Sequence, residues 1–200
     1  MNKKTVFVVG GIVLAAALAA GIAAGTGSSA GQHSGEAYGT IQIQGTALPP
    51  VPSDGSADPA IGSPAPTIVG DTVSVEPGGG TPMLVMFLAH WCPHCQREVP
   101  RVVEWVKQNG KPDGVGVISV ATQTTASQGN YPPGDWLDRE GWPFPIIFDD
   151  ESSTAWSAYG AGGFPYWVVI DRDGNVAGRF SGELPDVAAV GQLFSSIADL

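Results

Sequence analysis

Apolar residues divide this chain into a globular C-terminal part and a sparser N-terminal part. Residues 83–89 (MLVMFLA) form a short unbroken apolar run, which predicts a strand buried on both faces. Residues 95–109 carry four valines at helical spacing, and Asn109-Gly110 is typical of a helix end. The pattern therefore predicts a buried strand that leads directly into an amphipathic helix.

The chain beyond residue 110 continues this alternation of elements. Strands are predicted at residues 115–120 and 145–148, and helices at residues 135–140, 152–159 and 184–200. Asp173-Gly174 separates two further strands, at 166–170 and 175–180, as in a β-hairpin. This order predicts an α/β domain with a mixed central sheet flanked by helices.

The N-terminus has the features of a membrane segment. Residues 6–24 are apolar and uncharged, and Lys3 and Lys4 precede them. As a helix this run would be about 28 Å long, close to the thickness of a bilayer core. We therefore expect a transmembrane anchor over residues 1–25, with signal-peptide cleavage near the small residues 23–30 as the alternative. The next basic residue is Arg97, so the positive-inside rule places the rest of the chain outside the cytoplasm.

Between this segment and the globular domain the composition changes again. Residues 26–59 are rich in Gly, Ser and Pro, which predicts a flexible or extended tether. Residues 40–44 alternate apolar and polar, so a short strand could form there and add to the domain's edge. The domain itself is expected over residues 60–200.

Composition excludes several classes of function. Nine basic against nineteen acidic residues give a net charge of −10, and no basic cluster offsets it, so nucleic acid is not expected as a partner. The chain has two cysteines, Cys92 and Cys95. Two cysteines exclude a disulfide-stapled miniprotein and a four-cysteine zinc site within one chain.

The two cysteines form a Cys92-Pro93-His94-Cys95 motif between the buried strand and its helix. This spacing brings the two sulfur atoms within one helical turn, close enough for a disulfide. A helix N-terminus favours an anion, so Cys92 should be the nucleophilic thiolate. Cys95, one turn further in, should be more buried and resolve the mixed disulfide. The expected redox group is the Cys92–Cys95 disulfide itself, with no further cofactor and no metal.

Residues 60–200 resemble the thioredoxin superfamily, specifically its membrane-anchored, extracytoplasmic TlpA/ResA-like branch. Residues 60–66 (AIGSPAP) are similar to that branch's opening motif, and residues 87–92 (FLAHWC) to its FWAxWC. Glu98 and Pro100 match its ExP, and Gly163-Phe164-Pro165 precedes an apolar strand, as the family's cis-proline does. An ordered set of motifs is far more specific than a CxxC alone.

The resemblance implies roles for residues outside the CxxC motif. A cis bond would hold Phe164 and Pro165 against the cysteines, and the backbone of Phe164 would pair with an extended substrate segment by strand addition. Trp91 would shield the sulfur atoms. The implied partners are protein thiols and disulfides outside the cytoplasm, with a membrane redox protein that resets the centre.

Two departures from the family concern the direction of electron flow. Pro93-His94 matches strongly oxidising DsbA-type centres, because a histidine beside the sulfur atoms stabilises the thiolate and hence the reduced form. Thioredoxin-like proteins commonly bury an acid six residues before the first cysteine, whereas this chain has Met86 there. Both features favour an oxidant, although the TlpA/ResA-like branch more often houses reductases of cytochrome c maturation.

A metallochaperone is the competing class of function, since Cys92 and Cys95 could bind copper or zinc together with His90 or His94. Copper-delivering relatives of this fold use a wider cysteine spacing and a distant third histidine. The remaining histidine here is His33, in the tether. The sequence therefore favours redox exchange, with His94 as a tuning residue and His90 as a polar surface residue. A redox-inert adaptor would have no use for the cysteine pair.

Overall fold

The apolar run at residues 83–89 lies at the centre of the fold. The computed structural model describes residues 33–200, and within them eight strands and four helices follow one another in chain order. They are β1 (Gln42–Gln44), β2 (Thr67–Val69), β3 (Ser74–Val75), β4 (Met83–Leu88), α1 (Pro93–Asn109), β5 (Gly116–Ala121), α2 (Pro133–Glu140), β6 (Ile146–Phe148), α3 (Thr154–Ala158), β7 (Tyr166–Ile170), β8 (Val176–Ser181) and α4 (Val187–Ala198).

A five-stranded mixed sheet with the order β6-β5-β4-β7-β8 forms the centre of the domain. β4 pairs in parallel with β5 and antiparallel with β7, so it is the central strand of the sheet. Core residues cover both of its faces, and it is therefore apolar on both. Met86 packs into the core on one face of the sheet, with α1 and α4, whereas Phe87 packs into the core on the other face. The predicted α/β fold with a mixed sheet is confirmed.

The register of the central strands positions the cysteine motif. Leu88, the last residue of β4, lies opposite Ala121, the last residue of β5. Phe87 lies opposite Tyr166, the first residue of β7. The segment that follows β4 therefore meets the loop that leaves β5 and the loop that enters β7. The active-site candidates come together at this one end of the central strands.

Most predicted elements are present, with shifted ends. The helix expected at residues 184–200 begins at Val187, because Asp186 accepts a hydrogen bond from the backbone N–H of Ala189 at 2.9 Å and caps it. The strands β2 and β3 were not predicted. They contain three and two residues, too few for a periodic pattern, and with β1 they form a separate antiparallel sheet.

The part of the predicted tether that the structure describes is held against the domain. Gln42–Gln44 pairs with Thr67–Val69, and the backbone N–H of Leu48 donates to the carbonyl of Ala158 at 2.8 Å. Leu48 itself is buried. From residue 33 onward the segment is thus extended along the domain rather than a free coil, because its backbone groups find partners there.

The predicted anchor, residues 1–25, lies outside the described part of the chain. Between residues 33 and 200, none of the helices combines the length and apolar character needed to cross a membrane.

Candidate active site

The cysteine motif begins at the point where β4 ends. Cys92 has extended backbone angles (φ −76°, ψ 120°) and is the residue that precedes the first turn of α1, and Pro93 follows as the first helical residue. Proline suits this position because its missing N–H would have had no partner inside the helix. The unpaired N–H groups of the first turn and the helix dipole favour negative charge on the Cys92 sulfur.

The two thiols differ in their surroundings, although both are free and both are buried. Cys95 has no exposed surface, and the backbone N–H of Ala89 lies 3.5 Å from its sulfur atom. Burial raises the pKa of the Cys95 thiol strongly, and the neighbouring Cys92 and Glu98 raise it further. Cys92 keeps 6% of its surface exposed. This difference suits a nucleophile at Cys92 and a resolving thiol at Cys95.

Glu98, which matches the ExP motif, is a functional candidate whose role the sequence alone did not indicate. It lies one turn after Cys95 on α1 and is completely buried. Its Oε2 accepts hydrogen bonds from Arg101 and, at 3.1 Å, from the backbone N–H of Leu184, whereas Oε1 has no partner in the described residues. Burial raises the pKa of Glu98, and Arg101 opposes this shift. The signal in the sequence was an acid at a buried position of an otherwise apolar helix face.

Phe164 and Pro165 lie beside the motif, at the start of β7. The peptide bond between them is cis, as the resemblance implied. The ring of Phe164 meets the ring of Trp91 edge-on, with 5.7 Å between their centroids, and stacks on Trp156 at 4.2 Å. Trp91, the residue before Cys92, thus contacts Phe164, and Pro165 follows at the start of β7. Their roles in shielding and substrate binding stay predictions.

His94 lies in the first turn of α1, and 58% of its side chain is exposed. Its Nδ1 is 2.6 Å from Oε1 of Glu183, in the loop between β8 and α4. Glu183 also accepts hydrogen bonds from Arg97. The predicted tuning residue therefore has a carboxylate partner that the sequence did not indicate.

The expectation for His90 was wrong, since this residue is 1% exposed. Its Nδ1 lies 2.7 Å from the carbonyl of Gly129, and its Nε2 accepts from the backbone N–H of Thr125 at 3.2 Å. Both partners lie in the loop between β5 and α2, which covers His90 and removes it from the surface. Because both ring nitrogens are engaged, His90 is not placed to serve as a metal ligand beside the cysteines.

A sequence model of the redoxin family ("Redoxin") matches residues 55–193, well over half of the chain. The chain belongs to the redoxin family. Among curated relatives, this redoxin is 28% identical over 129 residues to "Thiol-disulfide oxidoreductase ResA" of Bacillus thuringiensis (strain Al Hakam), an alignment covering 62% of this chain and 70% of the relative. It is 32% identical over 137 residues to "Protein DipZ" of Mycobacterium bovis (strain ATCC BAA-935 / AF2122/97), covering 62% of this chain but 19% of that protein.

Solved structures agree on the fold of this redoxin. A thiol:disulfide interchange protein of the thioredoxin family from Chlorobium tepidum TLS is 22% identical, with a TM-score of 0.52 and coverage of 71% of this chain and 99% of that one. The thioredoxin domain of a thiol-disulfide oxidoreductase from Bacteroides vulgatus is 20% identical, with a TM-score of 0.51 and coverage of 69% and 98%. At these identities the likeness establishes the thioredoxin-like fold alone.

The family and the relatives together identify the class of activity. This redoxin is a thioredoxin-like thiol–disulfide oxidoreductase, and protein thiols and disulfides are the substrates that its family implies. The predicted superfamily, fold and class of enzyme are confirmed.

Proposed function

We propose that this redoxin is an extracytoplasmic, membrane-tethered oxidant of protein thiols, with the Cys92–Cys95 disulfide as its redox group. The observation that carries the proposal is the asymmetry of the two sulfur atoms. Cys92 begins α1 and keeps some exposure, whereas Cys95 is fully buried and the pKa of its thiol is raised by that burial. An incoming thiolate would therefore attack Cys92, and Cys95 would be the leaving sulfur.

The oxidation would proceed in two exchanges. A substrate thiolate attacks the Cys92 sulfur of the disulfide, which forms a mixed disulfide and releases Cys95 with an electron pair. A second substrate thiolate then attacks the substrate sulfur of that mixed disulfide and releases Cys92. The substrate leaves as a disulfide, and the protein keeps two electrons, with a proton on Cys95. The N-terminus of α1 stabilises the departing Cys92 thiolate.

Glu98 would handle the proton of the buried sulfur. Cys95 strongly resists ionisation where it lies, so the sulfur released in the first exchange needs a proton at once. Glu98 lies one turn away, with an unpartnered Oε1 and a pKa that burial raises, so its carboxyl group retains a proton more readily than an exposed one. We assign Glu98 the role of proton donor to Cys95.

Substrate binding would use the segment before β7. Phe164 and Pro165 lie beside Trp91 at the rim of the site, and an extended polypeptide could pair with the backbone there as an added strand. Such pairing gives affinity with little sequence specificity, which suits an enzyme that acts on many proteins.

The proposed location rests on the N-terminal sequence. Lys3 and Lys4 precede the apolar residues 6–24, and this order favours a single-pass anchor with the catalytic domain outside the cytoplasm. Release after signal cleavage is the alternative. A membrane redox protein would reset the centre by withdrawing its electrons.

A reductase, as in cytochrome c maturation, is the second candidate, and Glu98 is the observation in its favour. A reductase needs a base that removes the proton of Cys95 before this thiol resolves the mixed disulfide. The carboxylate of Glu98 could serve, so the absence of an acid at Met86 does not count against this direction.

The reduction potential of the Cys92–Cys95 couple separates the two directions. We expect a value clearly above that of thioredoxin, about −270 mV, and toward that of the strongly oxidising DsbA, about −120 mV, whereas a value near thioredoxin's would indicate a reductase. In cells, a Cys95→Ser variant should trap substrates as mixed disulfides on Cys92. If Cys92→Ala left disulfide exchange intact, the proposed site would be wrong.

A further inference from the structure

The loop between β8 and α4 contacts the first two turns of α1. Oε1 of its Glu183 lies 2.6 Å from Nδ1 of His94, within the cysteine motif. The next residue, Leu184, donates its backbone N–H to Glu98, one turn after Cys95. One short loop, far from the motif in sequence, thus holds both His94, within the motif, and Glu98, one turn after it.

Glu183 is surrounded by cations. Nε of Arg97 donates to it at 3.1 Å and Nη2 at 2.6 Å, and Nη1 of Arg101 lies 3.7 Å away. The hydrogen bonds from Arg97, and then that from His94, lower the pKa of Glu183 to about 2. The carboxylate is therefore a fixed negative charge beside His94 at neutral pH and well below it.

A fixed carboxylate here opposes the usual effect of a histidine in a CxxC motif. An imidazolium stabilises the nearby thiolate, and thereby the reduced form, through its positive charge. When the same imidazolium donates Nδ1–H to a carboxylate, the two charges nearly cancel at the distance of the sulfur. The same carboxylate also bonds Arg97, whose Nη2 lies 2.9 Å from Nδ1 of His94, so one negative charge is shared between the two cations.

We propose that Glu183 is a positioning residue of the redox centre: it holds His94 and Arg97 in one cluster, offsets part of their positive charge, and so makes the centre a weaker oxidant than its CPHC motif alone would be. The inference rests on the proposed function of the Cys92–Cys95 couple. It adds a residue outside the motif that sets how far that couple favours the reduced form.

The test is the equilibrium of the purified full-length protein with glutathione. Two glutathione thiols supply two electrons and two protons, the Cys92–Cys95 disulfide becomes a dithiol, and glutathione disulfide is released. The equilibrium is measured at about pH 5.5, below the usual pKa of a histidine side chain near 6.5. Glu183→Gln then leaves the charges of His94 and Arg97 uncompensated, which favours the thiolate.

We expect Glu183→Gln to shift this equilibrium constant toward the reduced protein by about 3- to 10-fold, where tenfold corresponds to about 30 mV. Glu183→Asp keeps the charge and should recover most of the wild-type value. Glu104→Gln is the matched control: it removes one exposed carboxylate from the same helix, away from the cysteines, and should leave the constant unchanged.

A double-mutant cycle distinguishes a role through His94 from a general charge effect. In a His94→Gln background only the charge of Arg97 is left uncompensated, so Glu183→Gln should shift the constant clearly less than it does in the wild-type background. A shift of undiminished size there, or no shift in the wild-type background, would overturn the role of Glu183. A wild-type protein that does not exchange with glutathione would instead refute the proposed redox function, so the two failures are distinct.

Discussion

At the scale of single residues, the buried acid of this site lies on the helix that follows the cysteines. The lack of an acid six residues before Cys92, where this chain has Met86, was one of two reasons to favour an oxidant over a reductase. Met86 is indeed a buried core residue, but Glu98 brings a fully buried carboxyl group within a turn of Cys95. A buried acid is thus available from α1, so the preference for an oxidant now rests on His94.

Replacement of Glu98 by glutamine tests its role in proton transfer. The substitution keeps the size and one acceptor oxygen but cannot donate or accept the proton of Cys95. We expect disulfide exchange at neutral pH to slow by about 100-fold, the lower end of the range for a lost general acid or base. Stopped-flow tryptophan fluorescence with a small dithiol measures this rate, and a flatter pH–rate profile should accompany the loss.

The matched variant for this experiment is Arg101→Gln, which keeps Glu98 but removes its ion-pair partner. Because Arg101 lowers the pKa of Glu98, the pH–rate profile of this variant should move to higher pH while proton transfer persists. A Glu98→Gln rate within twofold of the wild-type rate would contradict the proton-transfer role.

Some residues of the site could be predicted from the sequence and others could not, and the difference has a physical cause. Cys92, Pro93, His94 and Cys95 are consecutive, so strand-to-helix geometry alone defines their chemistry. Glu183 acquires its role only because the loop between β8 and α4 packs on α1, and a single sequence carries no record of such long-range packing. Side-chain partners across the fold therefore could not be predicted, whereas the motif could.

At the scale of elements, the loop between β5 and α2 is fastened to the segment before Cys92. His90 bonds to Gly129 and Thr125, and Nε1 of Trp91 donates to the carbonyl of Gln123 at 2.8 Å. The loop thereby fixes the side chains of both residues that precede the nucleophile. The arrangement requires neutral His90, since its Nε2 accepts a hydrogen bond from a backbone N–H.

This requirement predicts a pH dependence of stability. Burial lowers the pKa of His90, so as the pH falls below about 6.5 the unfolded chain binds a proton that the folded protein does not. The free energy of unfolding should therefore decrease from about pH 6.5 downward, until the lowered pKa is passed. His90→Asn keeps a donor for Gly129 and does not titrate, so its stability should fall less steeply in this range.

Urea unfolding at a series of pH values measures both slopes. Carboxyl groups such as Glu98 titrate in both proteins, so the difference between the two curves isolates His90. Parallel curves between about pH 6.5 and 5 would show that His90 is not held neutral by the fold.

At the scale of the whole molecule, the globular unit includes chain that its composition assigns to a linker. Arg179 on β8 has a fully buried side chain, which pairs with Asp58 and donates to the carbonyl of Pro49 at 3.0 Å. A side chain on Gly160 would collide with that same carbonyl, so the glycine allows the close approach. The order of elements after residue 83 followed from periodic apolar patterns. This N-terminal packing did not, because backbone hydrogen bonds and one ion pair hold it.

The pair of Asp58 and Arg179 is the point at which this packing can be tested. Asp58→Ala leaves the guanidinium of Arg179 buried without its counter-ion, and removal of one partner from a buried pair typically costs about 3–5 kcal/mol. Asp54→Ala is the control: Asp54 is exposed in the same segment, accepts a hydrogen bond from the backbone N–H of Ser56, and should leave the free energy of unfolding nearly unchanged. Urea unfolding measures both free energies. Because the loss arises from an unpaired charge, adding Arg179→Met to Asp58→Ala should restore part of it. Equal stability of the two aspartate variants would mean that residues 48–58 lie on the domain without stabilising it.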